Sequence, residues 1–189
     1  MDRREEIFEK AQELFIEKGY EKTSLSQLAK ALNLTKAGLY HYFNSKEELF
    51  FKIHSHSVDK DFLPVLDEAE KIHDPEERIR YFLRNYTIRT AAKNPSMKVA
   101  IQDINSLKPD SKKDVLKVWR RAFDLVRDAL SEMEKSGRIR KMNKTFATFA
   151  ALGMTSWTFY WFDYERKESA EELADTYVEI FFEGIKSGK

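Results

Sequence analysis

The groups with the greatest chemical capacity in this 189-residue chain are its four histidines, His41, His54, His56 and His73, and its 32 carboxylates. His54 and His56 stand two apart in a helical stretch. Neighbours at that spacing point to different faces, so they cannot form the i, i+4 metal pair. No carboxylate spacing singles out a catalytic pair, and the absence of cysteine excludes thiol chemistry and disulfides. The sequence therefore predicts no enzyme, no metal and no cofactor. What remains is the run "GLYHYFNSK", Gly38 to Lys46, in which Tyr40, His41, Tyr42 and Phe43 are consecutive. Helical neighbours lie about 100° apart, so four adjacent rings cannot share one core face. Tyr40 and Tyr42 can reach phosphates through their hydroxyls and thymine methyls through their rings. His41 can donate to a phosphate or a base edge.

The local charge suits a phosphate partner. From Lys22 to Lys46 there are four lysines and no acidic residue, with Glu21 and Glu47 flanking the segment, although the whole chain carries a net charge of only +1. Such a patch is the electrostatic footprint of a surface that faces nucleic acid. Gly38 weakens a helix by about 0.5–1 kcal/mol relative to alanine, and one use for it is close approach of the backbone to DNA. Lys46 stands in the first turn of the following helix, where it opposes the helix dipole. A phosphate bound at that helix end would account for it.

These side chains need elements to hold them. Only six glycines and four prolines occur, and no run shows strict period-two alternation. The chain reads as all-α, with about nine helices. Ile7, Ala11, Leu14 and Phe15 keep helical spacing up to Gly19, which is placed to end the first helix. Ser24 with Gln27 forms a capping box for the second, which carries Leu28 and Ala29. Asn33 can take the left-handed turn conformation. Thr35 caps a short helix reaching about Phe43, and Ser45 with Glu48 caps a fourth running towards Lys71, kinked or broken by Pro64. Helices of this size joined by a tight turn make a helix-turn-helix over residues 24–43.

Pro75 and Pro109 then open helices, Asn94-Pro95 ends one and begins a short one, and Gly137 ends the long amphipathic helix before it. Between Lys144 and Asp163 lie eighteen residues without a charge. That length is at the threshold for a membrane span, but its five Thr and Ser residues and single leucine fit a helix covered by protein better. Ser169 boxed with Glu172 starts the last helix. The N-terminus lacks a continuous apolar run, so no signal peptide is expected, and the chain reads as cytoplasmic. Residues 1–50 are expected to form one domain and 51–189 another.

The stretch "AQELFIEKGYEKTSLSQLAKALNLTKAGLYHYFNSKEELF" resembles the DNA-binding domain of the tetracycline-repressor (TetR) family of bacterial regulators. The resemblance implies a recognition helix over Thr35–Phe43. It implies DNA contacts from Ser24, Thr35, Lys36, Ala37, Gly38, Tyr40, His41, Tyr42 and Lys46. Asn33 replaces the glycine usual in the turn. It further implies a homodimer on a pseudo-palindromic duplex, held by the last two long helices, about 143–164 and 169–186, with a ligand pocket in each subunit. "PDSKKDVLKVWRRAFDLVRDALSEMEKSGRI" followed by "AALGMTSWTFYWF" is similar to family members that respond to acyl-CoA thioesters, although "DYERKES" replaces the usual glycine- and proline-containing stretch. The expected regulator is thus a repressor released by a small apolar effector. Trp119, Phe123, Trp157, Tyr160 and Trp161 are candidates to line its pocket, with ordinary core or dimer packing as the competing use of each. A ligand-independent architectural DNA binder is the alternative function.

Overall fold

A computed structural model describes residues 3–91, 109–161 and 169–186, with the side chains of Ser111, Phe159, Tyr160 and Trp161 excepted. The described residues are helical apart from turns and one isolated antiparallel backbone bridge between Ile139 and Lys186. The helices are α1 (Arg3–Lys18), α2 (Leu25–Ala31), α3 (Lys36–Tyr40), α4 (Lys46–Ser57), α5 (Leu63–Glu70), α6 (Pro75–Ala91), α7 (Pro109–Lys135), α8 (Lys144–Trp161) and α9 (Ala170–Ile185). They fall into two compact units: residues 3–60 with 109–115, and residues 61–91 with 116–161 and 169–186.

The first unit is built by caps at nearly every helix end. Gly19, at φ 83°, ends α1 and donates its N–H to Phe15 O at 2.9 Å. The Thr23 hydroxyl donates back to Gly19 O at 2.9 Å and closes that corner. Ser24 Oγ accepts from Gln27 N at 3.2 Å, while Ser24 N donates to Gln27 Oε1 at 2.8 Å, so the reciprocal capping box forms. Asn33 takes the left-handed turn at φ 55°. Ile7, Leu28, Leu39, Phe43, Leu49 and Phe50 are the large side chains of the buried centre. Phe50 also packs on Tyr20, with ring centroids 4.6 Å apart.

Two local expectations need correction, and a third is met in an unexpected form. The recognition helix is shorter than its sequence suggests: α3 ends at Tyr40, and a turn carries the chain on to Phe43, whose N–H still reaches Leu39 O at 3.3 Å. The box at Ser45 is only half closed. Ser45 Oγ accepts from Glu48 N at 3.0 Å, but the Glu48 carboxylate accepts from Asn44 N at 2.9 Å instead of Ser45 N. Pro64 does interrupt the fourth helix, in a particular way. A π-helical turn, Val58–Phe62, precedes it, and α5 starts with the proline in its first turn, where a missing N–H costs nothing.

In the second unit α6 is central and packs against α5, α8 and α9. Asp74 caps it by accepting from Glu76 N and Glu77 N, both at 3.0 Å. Ile79, Phe82, Leu83, Val126, Leu130 and Phe182 are fully buried there. Arg121 on α7 donates to Glu70 Oε1 at 2.7 Å and holds α5. Gly137 ends α7 at φ 73°. The Ser169–Glu172 box starts α9. The expected ending at Asn94-Pro95 lies outside the described residues, as does most of "DYERKES".

Candidate nucleic-acid interface and effector groove

The helix-turn-helix lays most of its expected contact residues open to solvent. Ser24 is exposed at the N-cap of α2. Thr35, Lys36 and Ala37 are exposed at the start of α3, where Thr35 Oγ1 accepts the Gly38 N–H at 2.9 Å. Tyr40 is 44% exposed, with Lys36 Nζ 5.9 Å from its ring centroid. His41 is exposed as well, Tyr42 is half-buried, and Leu39 and Phe43 are buried on the opposite side. A buried leucine and phenylalanine therefore anchor the helix, while a phenol, an imidazole and a lysine stay available to a ligand. Glu48, just past this surface, is held at a pKa of about 2, chiefly by the Lys52 ammonium and then by the Asn44 backbone N–H.

Two expectations for this surface take a different shape. A methyl added at Gly38 would meet Thr35 Oγ1 at 3.2 Å, so part of the demand for glycine comes from the helix cap itself. Gly38→Ala is expected to shift stability by less than about 1 kcal/mol, because gained helix propensity offsets the crowded cap. Operator affinity should fall more than stability does if the backbone also approaches DNA; urea unfolding beside DNA titration separates the two. Lys46 does not point freely from its helix end. Its Nζ donates to Tyr20 O at 3.0 Å and lies 4.1 Å from the Tyr20 ring centroid.

The second unit contains an open groove of about 500 Å³ between α7 and α8. Trp119 and Phe123 line it with Leu116, Phe149, Leu152 and Gly153. Arg120 and Ser156 supply its polar groups. Trp119 stacks on Phe62 with centroids 6.5 Å apart, and Phe123 lies 5.1 Å from Phe149. Apolar walls, one cation and one hydroxyl in a space of this size suit an amphiphilic anion. Trp157 does not line the groove and is 62% exposed. The side chains of Tyr160 and Trp161 lie outside the described residues. Reading the aromatic residues alone missed Leu116, Arg120, Leu152 and Ser156. Their helical spacing is visible in the sequence, but the face each helix turns to its neighbour is not.

Along α8, Phe146 is 71% and Phe149 62% exposed, and Ala150, Gly153 and Trp157 continue the same row. Ile180 on α9 is exposed too. A second groove of about 420 Å³, lined mainly by apolar side chains of α8 and α9, borders the row. No described helix is long and apolar enough to cross a membrane.

A capped helix-turn-helix with exposed polar and aromatic groups in one unit, and an apolar groove in the other, are the parts of a DNA-binding regulator. Comparison with known proteins agrees. Residues 7–53 match the model for bacterial regulatory proteins of the tetR family, and residues 73–185 match the tetracyclin repressor-like C-terminal domain. The chain belongs to the TetR family of transcriptional regulators. The structure of AibR in complex with isovaleryl coenzyme A and operator DNA is similar at TM-score 0.87 and 30% identity, over 96% of this chain and 98% of that one. PfmR, a TetR-family regulator from Thermus thermophilus, is similar at TM-score 0.85 and 33% identity, over 98% and 100%. The negative regulator IcaR of a Staphylococcus epidermidis biofilm operon is 37% identical over 71 residues, which are 38% of this chain and 36% of that protein. These relatives are regulators of transcription, which leaves no support for an enzyme.

Proposed function

We propose that the protein is a repressor that binds a pseudo-palindromic operator as a homodimer and is released by a small apolar effector, with an acyl-CoA thioester as the favoured ligand. Ser24, Thr35, Lys36, Ala37, Gly38, Tyr40, His41, Tyr42 and Lys46 form the DNA surface in this reading. A two-fold dimer requires two half-sites, spaced by the separation of its recognition helices. The observation that carries the effector is the α7–α8 groove, whose apolar walls end in Arg120 and Ser156. An acyl chain fits the walls, and Arg120 suits the negative charge of a coenzyme A head group. The isovaleryl coenzyme A bound to AibR supports the same class.

The effector must favour the dimer that does not bind DNA. A coupling of about 1–3 kcal/mol, or 5–150-fold in DNA affinity, is the usual scale, and DNA must weaken effector binding by the same factor. Calorimetric titration of an acyl-CoA panel into free and operator-bound protein tests this, with free fatty acids and planar cationic drugs alongside. The expected result is binding of at least one thioester, weakened reciprocally by operator. If a drug binds and releases DNA while every thioester is inert, the ligand class is wrong but the switch stands. If nothing apolar binds, a ligand-independent architectural role replaces the switch.

A further inference from the structure

Gly153 lines the α7–α8 groove and also stands in the exposed row of α8. Phe149, 62% exposed, lines the same groove. The geometry of the helix explains the overlap. At 3.6 residues per turn, Phe146, Ala150, Gly153 and Trp157 fall within about 60° of one another. Phe149 and Ser156 follow about 40–60° further round, past Gly153. The α8 lip of the groove is therefore the edge of the exposed row and continuous with it.

The exposed apolar surface does not stop at that lip. Leu116, which lines the groove from α7, is 48% exposed. On the other side of the row, Ile180 of α9 is exposed too. Apolar surface that spreads over neighbouring elements in this way marks a contact face. A stable dimer takes about 800 Å² or more from each partner. The four side chains of the row, an alanine and a glycine among them, cannot supply that area, so the cover must extend sideways. Phe149 and Leu116 mark its extension across the groove. Between Lys144 and Asp163 the chain carries no charge, so the α8 lip can be covered without burying one. The effector gives a second reason. Small-molecule sites bury about 70–90% of their ligand. An open groove between two exposed lips leaves an acyl group partly in water.

We infer that the α7–α8 groove is half of a shared site: a second copy of the chain roofs it, and the effector lies between the groove of one subunit and the surface of its partner. The inference rests on the dimer and the effector proposed above. Two-fold symmetry makes the arrangement reciprocal, so a dimer holds two equivalent sites and each effector touches both chains.

Photochemical crosslinking of the full chain tests the roof without any ligand. One variant carries p-benzoylphenylalanine in place of Phe146, at the middle of the contact face. The other carries it in place of Leu116, on the far lip of the groove. Irradiation of each should give a covalent species of twice the 22.3 kDa chain mass. Linkage from position 146 with none from position 116 overturns the inference, because the partner then stops short of the groove. Linkage from neither removes the α8 face as the interface and the roof with it. If the Leu116 variant does not fold, the same label at Arg120, four residues on along the same lip, decides. Isovaleryl coenzyme A, the ligand held by AibR, tests the site under the roof. Its addition should suppress linkage from position 116 in step with its calorimetric saturation and leave linkage from position 146 intact. Binding that leaves the position-116 linkage unchanged overturns the shared site. If isovaleryl coenzyme A does not bind the unaltered protein, the favoured effector fails, and the ligand-free crosslink still decides the roof.

Discussion

Replacing Gly153 with glutamate is expected to yield a folded monomer with little hold on operator DNA. Gly153 is exposed on α8, within the row that includes Phe146, Phe149, Ala150 and Trp157. A Cβ built at Gly153 meets nothing within 4 Å, so the subunit has room for the new side chain. Within one subunit the change should even help by about 0.5 kcal/mol, because glycine is a poor helix former. Against a partner's apolar surface the same carboxylate would be buried without a counter-charge, which dimers do not tolerate. A stable interface of this kind should bury about 2,000 Å² in total. Sedimentation of the variant should give the 22.3 kDa chain mass, where the unaltered protein gives twice that. Breaking the link between two half-site contacts should lower operator affinity by about 10²–10⁴-fold, the usual scale of avidity. A Gly153→Glu protein that stays dimeric would move the interface away from α8.

Acid should destabilise the first unit through His54. This residue is 1% exposed on α4, and neither ring nitrogen has a hydrogen-bond partner. Burial alone lowers its pKa to about 4, from an ordinary 6.5. The unfolded chain therefore binds a proton more readily than the folded one between those values. Stability is complete above about pH 6.5 and is lost as pH falls from there through about pH 4. The difference amounts to at most about 3 kcal/mol. Urea unfolding at pH 7, 5.5 and 4.5 should show this loss, and His54→Leu should remove most of it. The leucine variant should be no less stable at pH 7, since it replaces unpaired buried nitrogens with carbon. A parallel pH dependence in both proteins would place the acid sensitivity elsewhere.

The elements that hold the DNA surface were legible because their signals are local. Ser24 with Gln27, Asn33, Thr35, Gly19 and Gly137 each fix a helix end through a bond or a dihedral angle within a few residues. The uncharged helix was legible for a different reason: so many apolar side chains in one segment require cover, and Phe146 and Phe149 are indeed left uncovered in the single subunit. Two features were not legible. The hydrogen bond from Lys46 ends on the Tyr20 backbone carbonyl, 26 residues away, and a carbonyl leaves no mark in a sequence. The walls of the α7–α8 groove depend on how two amphipathic helices rotate against each other. That angle is set by packing, so ring count favoured Trp157, which faces outward, over Arg120 and Ser156, which line the groove. Pro64 shows the same limit. Its missing N–H was legible, but the π-helical turn that accommodates it was not.

The central claim is that two copies of this chain read a symmetric DNA site through the exposed face of α3. Selection of bound duplexes from a random pool, followed by titration of the selected sequence, tests it most directly. The account predicts an inverted repeat, two chains per duplex, and affinity at least about 10³-fold above a scrambled sequence at the same salt concentration. Tyr40→Ala should erode that preference by about 1–3 kcal/mol without altering the fold. A selected site with no inverted symmetry, bound by one chain and unaffected by Tyr40→Ala, would contradict it.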